Sequence, residues 1–121
     1  DRNNTSIVLE IVYGNTSVLL TCDAEESVED EISSSAGDID VLKVGHHGSK
    51  TSTSFQLLKK VTPEVAVIPV GLDNNYGHPH PIVLERLKEA GSRIFRTDLD
   101  GDVLLISDGV NYQISPTFLP F

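Results

Sequence analysis

The 121-residue chain is long enough for one domain, and its 39% apolar residues suffice for an ordinary core. No apolar run approaches the roughly 18 residues of a membrane span, and the single cysteine, Cys22, excludes an internal disulfide or a cysteine-rich zinc site. The formal charge of −9 disfavours a dedicated nucleic-acid-binding module, although bound divalent cations would reverse the local charge of a nuclease.

The first half of the chain is predicted to form three strands and one helix. Apolar residues indicate strands over residues 6–14, 17–23 and 40–45, and residues 14–16 form the turn between the first two. The second and third strands are almost continuously apolar, which favours burial on both faces. Acidic residues near its start favour a helix over residues 26–35, because negative side chains stabilise a helix N-terminus.

The second half adds two helices and four strands. Capping residues followed by Phe55, Leu58 and Val61 predict a helix over residues 51–61 with these three side chains near one face. A proline start and a glycine stop predict a helix over residues 81–91, with Ile82, Leu84 and Leu87 spaced for burial. Strands are predicted at residues 64–71, 93–97, 102–109 and 111–115, with a loop at 72–81. This alternation predicts a single α/β domain over residues 1–121.

Residues able to do chemistry follow three of these strands. Asp23 ends the second strand, His46 and His47 end the third, and His78 lies with His80 in the loop after the fourth. If the three strands run parallel, their carboxyl ends meet at one edge of the sheet, where α/β proteins bind ligands. A carboxylate with neutral imidazoles suits Zn²⁺, Mn²⁺ or iron, and the glycines that flank the histidine pair would let the backbone approach the ions.

Each of these positions also has a purely structural interpretation. Asp23 is a residue type that closes strands and caps turns, the histidine pair can be incidental, and residues 77–81 can form a rigid loop with solvated histidines. Residues 49–54 can simply cap a helix, and we expect Cys22 to be a small buried apolar group. The spacing alone leaves both interpretations open.

The chain closely resembles the carboxyl-terminal half of the metallo-β-lactamase-like domain of the ComEC/Rec2 competence proteins, and also their free-standing hydrolase relatives. The likeness extends over residues 6–107 and rests on five segments in this order: SVLLTCDAE, DVLKVGHHGSKTSTS, PEVAVIPVG, NNYGHPHPIVLERLKEAG and RIFRTDLDGDV. The resemblance implies half of the αββα sandwich of that superfamily, with helices packed on a mixed sheet.

The resemblance also implies a metal site. Asp23 matches the family's metal-bridging aspartate, and either His46 or His47 matches its late histidine ligand. The implied cofactor is a pair of divalent cations in the complete domain, Zn²⁺ or alternatively Mn²⁺. Such ions would generate a hydroxide for attack on phosphorus or on a carbonyl group.

A substrate-binding region is implied beside that metal site. His78 matches the histidine of the family's YGHP loop, where it would contact substrate and assist catalysis, and Ser49 and Lys50 would contact phosphate oxygens. The implied substrate is a DNA strand during uptake, or another phosphoester.

The chain departs from the family pattern in two ways. Cys22 stands where the family has a glycine and could displace the neighbouring carboxylate. The main ligand motif of the superfamily, His-x-His-x-Asp-His, belongs to the first half of the domain and is absent, since all four histidines lie between positions 46 and 80. We therefore expect a piece of a longer protein that supplies at most half of a two-metal site and is inactive alone.

Three partners follow from this expectation: the N-terminal half of the domain, DNA or another phosphoester, and membrane-channel domains of the same polypeptide. A competence-type protein would carry the domain on the extracytoplasmic face of the membrane, whereas a free-standing relative would be soluble or exported. Two alternatives remain, a non-catalytic docking domain of the same fold and a weak metal-binding module.

Overall fold

A five-stranded sheet forms the centre of the computed structural model, which describes residues 6–117. Its strands lie side by side in chain order: β1 (Leu9–Tyr13), β2 (Thr16–Leu20), β3 (Val41–Lys43), β4 (Val65–Ile68) and β5 (Arg93–Arg96). Strand β1 pairs antiparallel with β2, whereas β2 to β5 are parallel. The mixed sheet confirms the predicted α/β class, and it places the ends of β2, β3 and β4 at a common edge.

The helices lie between the strands, as predicted, with one addition. They are α1 (Glu26–Ser35), α2 (Phe55–Val61), α3 (Pro81–Glu89) and a single turn, α4 (Thr97–Asp100), which was not predicted. Helix α2 begins four residues later than predicted because the Ser54 side chain accepts a hydrogen bond from the backbone N–H of Leu57 and caps the helix there. Phe55, as the first helical residue, is 58% exposed, whereas Leu58 and Val61, predicted to lie near the same face, are buried.

The two faces of the sheet are covered by different elements. Alternate strand residues on one face pack with the helices in the larger core: Leu19, Leu42, Ala66 and Ile68 with Leu57, Leu58, Val61, Val83 and Leu87. The opposite face, with Val41, Val65 and Phe95, packs against a hairpin made of β6 (Val103–Ser107) and β7 (Tyr112–Pro116). In α3, Val83 and Leu87 are the buried positions, while Ile82 is exposed and Leu84 is half-buried.

Strand β1 is the most exposed part of the sheet. It lies at one edge, and four of its side chains are more than half exposed: Leu9, Ile11, Val12 and Tyr13. Apolar side chains on an edge strand are typical of a surface that another element covers. Within residues 6–117, none of the helices has the length and apolar character that crossing a bilayer requires.

Candidate functional site

The turn that carries Asp23 is joined directly to the segment that carries the histidine pair. The backbone N–H of His46 donates to the carbonyl oxygen of Cys22 at 2.7 Å. The Ser52 hydroxyl donates to the carbonyl oxygen of Ala24 at 2.6 Å. Both carbonyl groups flanking Asp23 are thus bonded to residues 46–52, which brings two of the predicted positions together.

The Asp23 side chain lies on the surface of this edge. It is exposed, and its carboxylate has no hydrogen-bond or ion-pair partner among residues 6–117. A turn held on both sides that presents a carboxylate without a protein partner is suited to binding a cation. The alternative role of Asp23 as a helix cap is not observed, because Glu25 precedes the first residue of α1.

Cys22 is not buried, which corrects the expectation from sequence. Its backbone adopts a left-handed conformation with φ 51°, and the residue is exposed. Glycine adopts this conformation without the steric cost that a Cβ atom introduces. The glycine expected here from the family pattern therefore has a local physical reason, and cysteine occupies the position under strain.

Replacing Cys22 with glycine is expected to stabilise the fold by about 0.5–1 kcal/mol, because the released strain exceeds the entropy that glycine adds to the unfolded chain. Urea-induced unfolding measures the change. Cys22→Ala is the matched control, since it removes the thiol but retains Cβ and should leave stability near that of the wild type. A glycine variant less stable than the alanine variant would contradict the inference that the backbone of Cys22 is strained.

The histidine pair lies in a tight turn, Gly45–Gly48, called here the histidine turn. Both histidines are left-handed, with φ 53° each. The flanking glycines are required by close packing: a Cβ atom on Gly45 would lie 2.7 Å from Thr21 Oγ1, and one on Gly48 would lie 2.6 Å from Pro79 Cβ. Two consecutive strained non-glycine residues are uncommon and concentrate at functional sites.

The two imidazoles have different surroundings. Nδ1 of His47 lies 2.7 Å from the carbonyl oxygen of Pro69, so Nδ1 carries a proton and donates, and Nε2 is the ring nitrogen left for a metal ion. This is the arrangement by which proteins orient metal-binding histidines. His46 is half-buried, and its Nδ1 atom is buried without a hydrogen-bond partner among the described residues.

His78 joins this group from the loop after β4. Its ring lies edge-on to that of His46 with centroids 6.0 Å apart, so the third predicted position also reaches this edge of the sheet. Burial lowers the pKa of His78, and the neighbouring imidazoles of His46, His47 and His80 lower it further. His78 is therefore neutral at pH 7 and offers one N–H donor. His80 instead caps α3, with Nδ1 accepting from the Ile82 backbone at 3.1 Å.

A cavity of about 260 Å³ opens between the histidine turn and this loop. Its lining residues are His47, Val70, Gly71, Asn74, Tyr76 and His78. A larger cavity of about 750 Å³ lies at the amino ends of the parallel strands, against the β6–β7 hairpin, and includes none of the candidate site residues. There the Tyr112 hydroxyl donates to Glu64, and burial raises the pKa of Tyr112 well above its usual value.

The two residues expected to contact phosphate differ in exposure. Lys50 is exposed. Ser49 is almost buried, and its hydroxyl oxygen lies 3.0 Å from that of Thr51, within the same short segment. Lys50 is consequently the more accessible of the two for a ligand at this edge.

Glu29 is a buried residue of this region that the sequence did not single out. It lies in α1 with no exposed surface, and its two carboxylate oxygens accept from the backbone N–H groups of Thr53 and Ser54 at 2.5 and 2.9 Å. Burial raises the pKa of Glu29, and these backbone hydrogen bonds partly offset the increase. Glu29 thereby fixes the chain that follows the histidine turn.

The donor groups fit part of a divalent-cation site. One carboxylate and one or two imidazoles are suitable ligands by type, and the carbonyl oxygen of Pro69 orients the His47 ring as hydrogen-bond partners orient metal-binding histidines. No three His, Cys, Asp or Glu side chains among residues 6–117 are grouped so that they could hold a metal ion. The described residues therefore do not form a complete coordination sphere.

Comparison with known proteins agrees with the resemblance seen in the sequence. The family model described as metallo-beta-lactamase superfamily matches residues 1–71, a range that includes Asp23 and the histidine turn. ComE operon protein 3 of Bacillus subtilis is 42% identical over 104 residues, which cover 84% of this chain and 13% of that protein.

Two further relatives are similar over the same share of the chain. Recombination protein 2 of Haemophilus influenzae is 48% identical over 101 residues, covering 84% of this chain and 13% of its own length. Competence protein ComA of Neisseria gonorrhoeae is 39% identical over 104 residues, which cover 84% of this chain and 15% of that protein. The chain thus spans about one seventh of the length of these relatives.

Proposed function

The chain belongs to the metallo-β-lactamase superfamily, and we propose that it is the carboxyl-terminal half of a metal-dependent hydrolase domain that cleaves phosphodiester bonds of DNA during DNA uptake. The names of two relatives, a ComE operon protein and a competence protein, support the link to uptake. The superfamily supports metal-dependent hydrolysis.

One observation carries the proposal: the turn of Asp23 and the histidine turn are bonded to each other at one sheet edge. Hydrogen bonds from His46 and Ser52 hold the two carbonyl groups on either side of Asp23. These bonds hold the two turns together and leave the Asp23 carboxylate without a partner among residues 6–117, so that it is available to a cation.

Asp23 and His47 are the ligands that we propose for this half of the site. Asp23 has no partner within residues 6–117, and the carbonyl oxygen of Pro69 orients His47. His46, with its ring against His78, would support the site rather than bind the ion. The remaining ligands would come from the amino-terminal half of the domain, because too few donors converge in residues 6–117.

Strand β1 is the surface on which this amino-terminal half would pack. Four apolar or aromatic side chains of β1 are more than half exposed at the edge of the sheet. The relatives are about seven times longer than the matched region, which leaves ample chain for such a half. Covering these side chains would remove a large apolar surface from water.

Each residue of this edge has a proposed task in the reaction. Divalent cations held here would supply the positive charge that acidifies a water molecule and stabilises negative charge on phosphate oxygens. His78, neutral at pH 7, would donate its ring N–H to the leaving oxygen or to charge that develops on the phosphate. Lys50, and less directly the almost buried Ser49, would bind a phosphate oxygen.

A docking domain without catalytic activity is the second candidate. The absence of a three-residue donor group among residues 6–117 favours it. In that case the family fold would persist as a module that binds other parts of the protein through its exposed apolar edge.

Metal content of single-histidine variants tests the proposal. In the full-length protein, His47→Ala is expected to lower the bound zinc or manganese to half or less of the wild-type stoichiometry, because it removes a ligand. His46→Ala is the matched neighbour and should retain most of the metal. Plasma mass spectrometry after dialysis measures both. Wild-type metal content in both variants, with a folded domain, would favour the docking domain.

A further inference from the structure

We propose that Tyr76, stacked on His78, is a platform for one base of a single-stranded polynucleotide. The inference rests on the proposed function and names the form in which the substrate is bound. It assigns the cavity beside the histidine turn to a nucleobase, and the adjoining surface near His47 and Lys50 to the phosphate that is cleaved.

Tyr76 is held at the surface instead of packing into the fold. Its side chain is 82% exposed, and its ring stacks on the His78 ring with centroids 5.7 Å apart and an angle of 26° between the planes. One face of a stacked pair is thus supplied by the protein, and the outer face of the tyrosine ring is open. An exposed ring that is already stacked on one side offers a flat apolar surface on which an aromatic ligand can stack.

The loop that carries Tyr76 is rigidly organised by Asn74. The Asn74 side-chain oxygen accepts from the backbone N–H groups of Tyr76 and His78 at 3.1 and 3.0 Å. Its amide nitrogen donates to the carbonyl oxygens of Gly71 and His78 at 3.1 and 2.7 Å. With the loop already ordered, stacking of a base would cost little additional conformational entropy.

The cavity next to this pair has the size and place expected for one ring system. Its volume of about 260 Å³ lies just below the range of roughly 300–1,000 Å³ that whole small-molecule ligands occupy. His47, the proposed metal ligand, lines the same cavity, so a base bound there would lie next to the phosphate at the metal edge. Base and phosphate are neighbours in a polynucleotide.

The cavity can recognise a base by its face but has few groups to read its edge. Both polar atoms of the Asn74 side chain are engaged within the loop, and Nδ1 of His47 is engaged by Pro69. Stacking is tolerant of sequence because every base has an aromatic face. We therefore expect binding without marked preference among the bases.

Stacking also compensates for an unfavourable charge. The net charge of −9 repels a polyanion at long range, so phosphate contacts alone would give weak binding. A base face is neutral, and it is accessible only when the strand is not paired in a duplex. The platform consequently favours single strands over duplexes.

Binding of two polymers that differ only in their bases tests this inference. The probes are oligothymidylate and an oligomer of equal length made entirely of abasic sugar phosphates, measured by competition with the full-length protein in the presence of Ca²⁺. The wild type is expected to prefer oligothymidylate about 5- to 100-fold, the range typical of one stacked base. Tyr76→Ala should reduce this preference to within about threefold, and Tyr76→Phe should keep it.

Phe55→Ala is the control for loss of an exposed aromatic ring, since Phe55 is 58% exposed at the start of α2 and does not line the cavity beside the histidine turn. It should leave the preference unchanged. If Tyr76→Ala still prefers oligothymidylate over the abasic polymer, Tyr76 is not a base-stacking platform, and the proposed hydrolase function is unaffected. A wild type that binds neither polymer, yet contains metal, overturns nucleic acid as the substrate altogether. Loss of fold stability in Tyr76→Ala without loss of preference would instead assign Tyr76 to a contact within the full-length protein.

Discussion

Asp23→Asn in the full-length protein is expected to lower DNA cleavage by about 100-fold or more, because changes to groups that merely support metal ligands already cost roughly 10- to 100-fold. The amide retains the shape of the carboxylate but loses the negative charge that would hold two cations. Asp23 is exposed and has no partner within residues 6–117, so the fold should be unaffected. Initial cleavage rates of a labelled strand, with metal content measured in parallel, report the effect.

Asp30→Asn is the matched control for this substitution. Asp30 is an exposed acid of α1, and its replacement removes the same charge without touching the strand edge. It should cleave at the wild-type rate. Equal rates for Asp23→Asn and the wild type would exclude Asp23 from the reaction and leave the docking domain as the better account.

Glu29→Ala is expected to destabilise the domain by about 3 kcal/mol or more. The substitution leaves the buried N–H groups of Thr53 and Ser54 without acceptors, at a cost of about 1–3 kcal/mol each, and also opens a cavity. The chain after the histidine turn would lose its attachment to α1. Cleavage should therefore fall together with stability, although Glu29 does not touch the proposed metal ligands.

Hydrogen exchange of peptides over residues 51–61 in the full-length protein measures this loss locally. Faster exchange in Glu29→Ala than in the wild type is expected there. Glu31→Ala is the control, since Glu31 lies exposed on the same helix and should not alter the exchange. Unchanged protection of residues 51–61 from exchange in Glu29→Ala would mean that the two hydrogen bonds contribute little to the stability of this segment.

The pH dependence of stability has a defined sign at Glu29. Burial raises its pKa above the ordinary value of 4.5, so the fold favours the protonated carboxyl group. The stabilisation that results is complete below pH 4.5 and is lost as the pH rises through the folded-state pKa. Glu29→Gln cannot titrate. The stability of the wild type relative to this variant should therefore decrease as pH rises above 4.5, and a constant difference would contradict the raised pKa.

Local sequence patterns predicted the sheet, three of the helices and the common edge of the sheet well, because the structures that apolar runs and turn residues favour depend mainly on neighbours in the chain. Helix α1, for example, begins and ends where its residues predict. The position of the candidate site followed from the rule that the carboxyl ends of parallel strands meet at one edge of a sheet, and β2, β3 and β4 do pair in parallel. The family resemblance, also confirmed, then identified the superfamily.

The details that were missed depend on contacts between distant residues or on backbone conformation. The Glu29 carboxylate is buried because it accepts hydrogen bonds from backbone N–H groups that lie 24 and 25 residues away in the chain. Acidic residues at the start of a helix usually face water instead. Cys22 is exposed, and its φ of 51° is a backbone conformation suited to glycine that the residue type does not predict. Helix α2 begins at Phe55 instead of residue 51 because the Ser54 side chain accepts a hydrogen bond from the backbone N–H of Leu57.

Anomalous diffraction at the zinc edge, on crystals of the full-length protein grown with Zn²⁺, would show directly which atoms surround the ion. We expect a peak within bonding distance, about 2.0–2.2 Å, of an Asp23 carboxylate oxygen and of His47 Nε2, with other ligands from the amino-terminal half of the domain. A metal ion coordinated entirely by residues outside this chain, or the absence of any peak at this sheet edge, would contradict it.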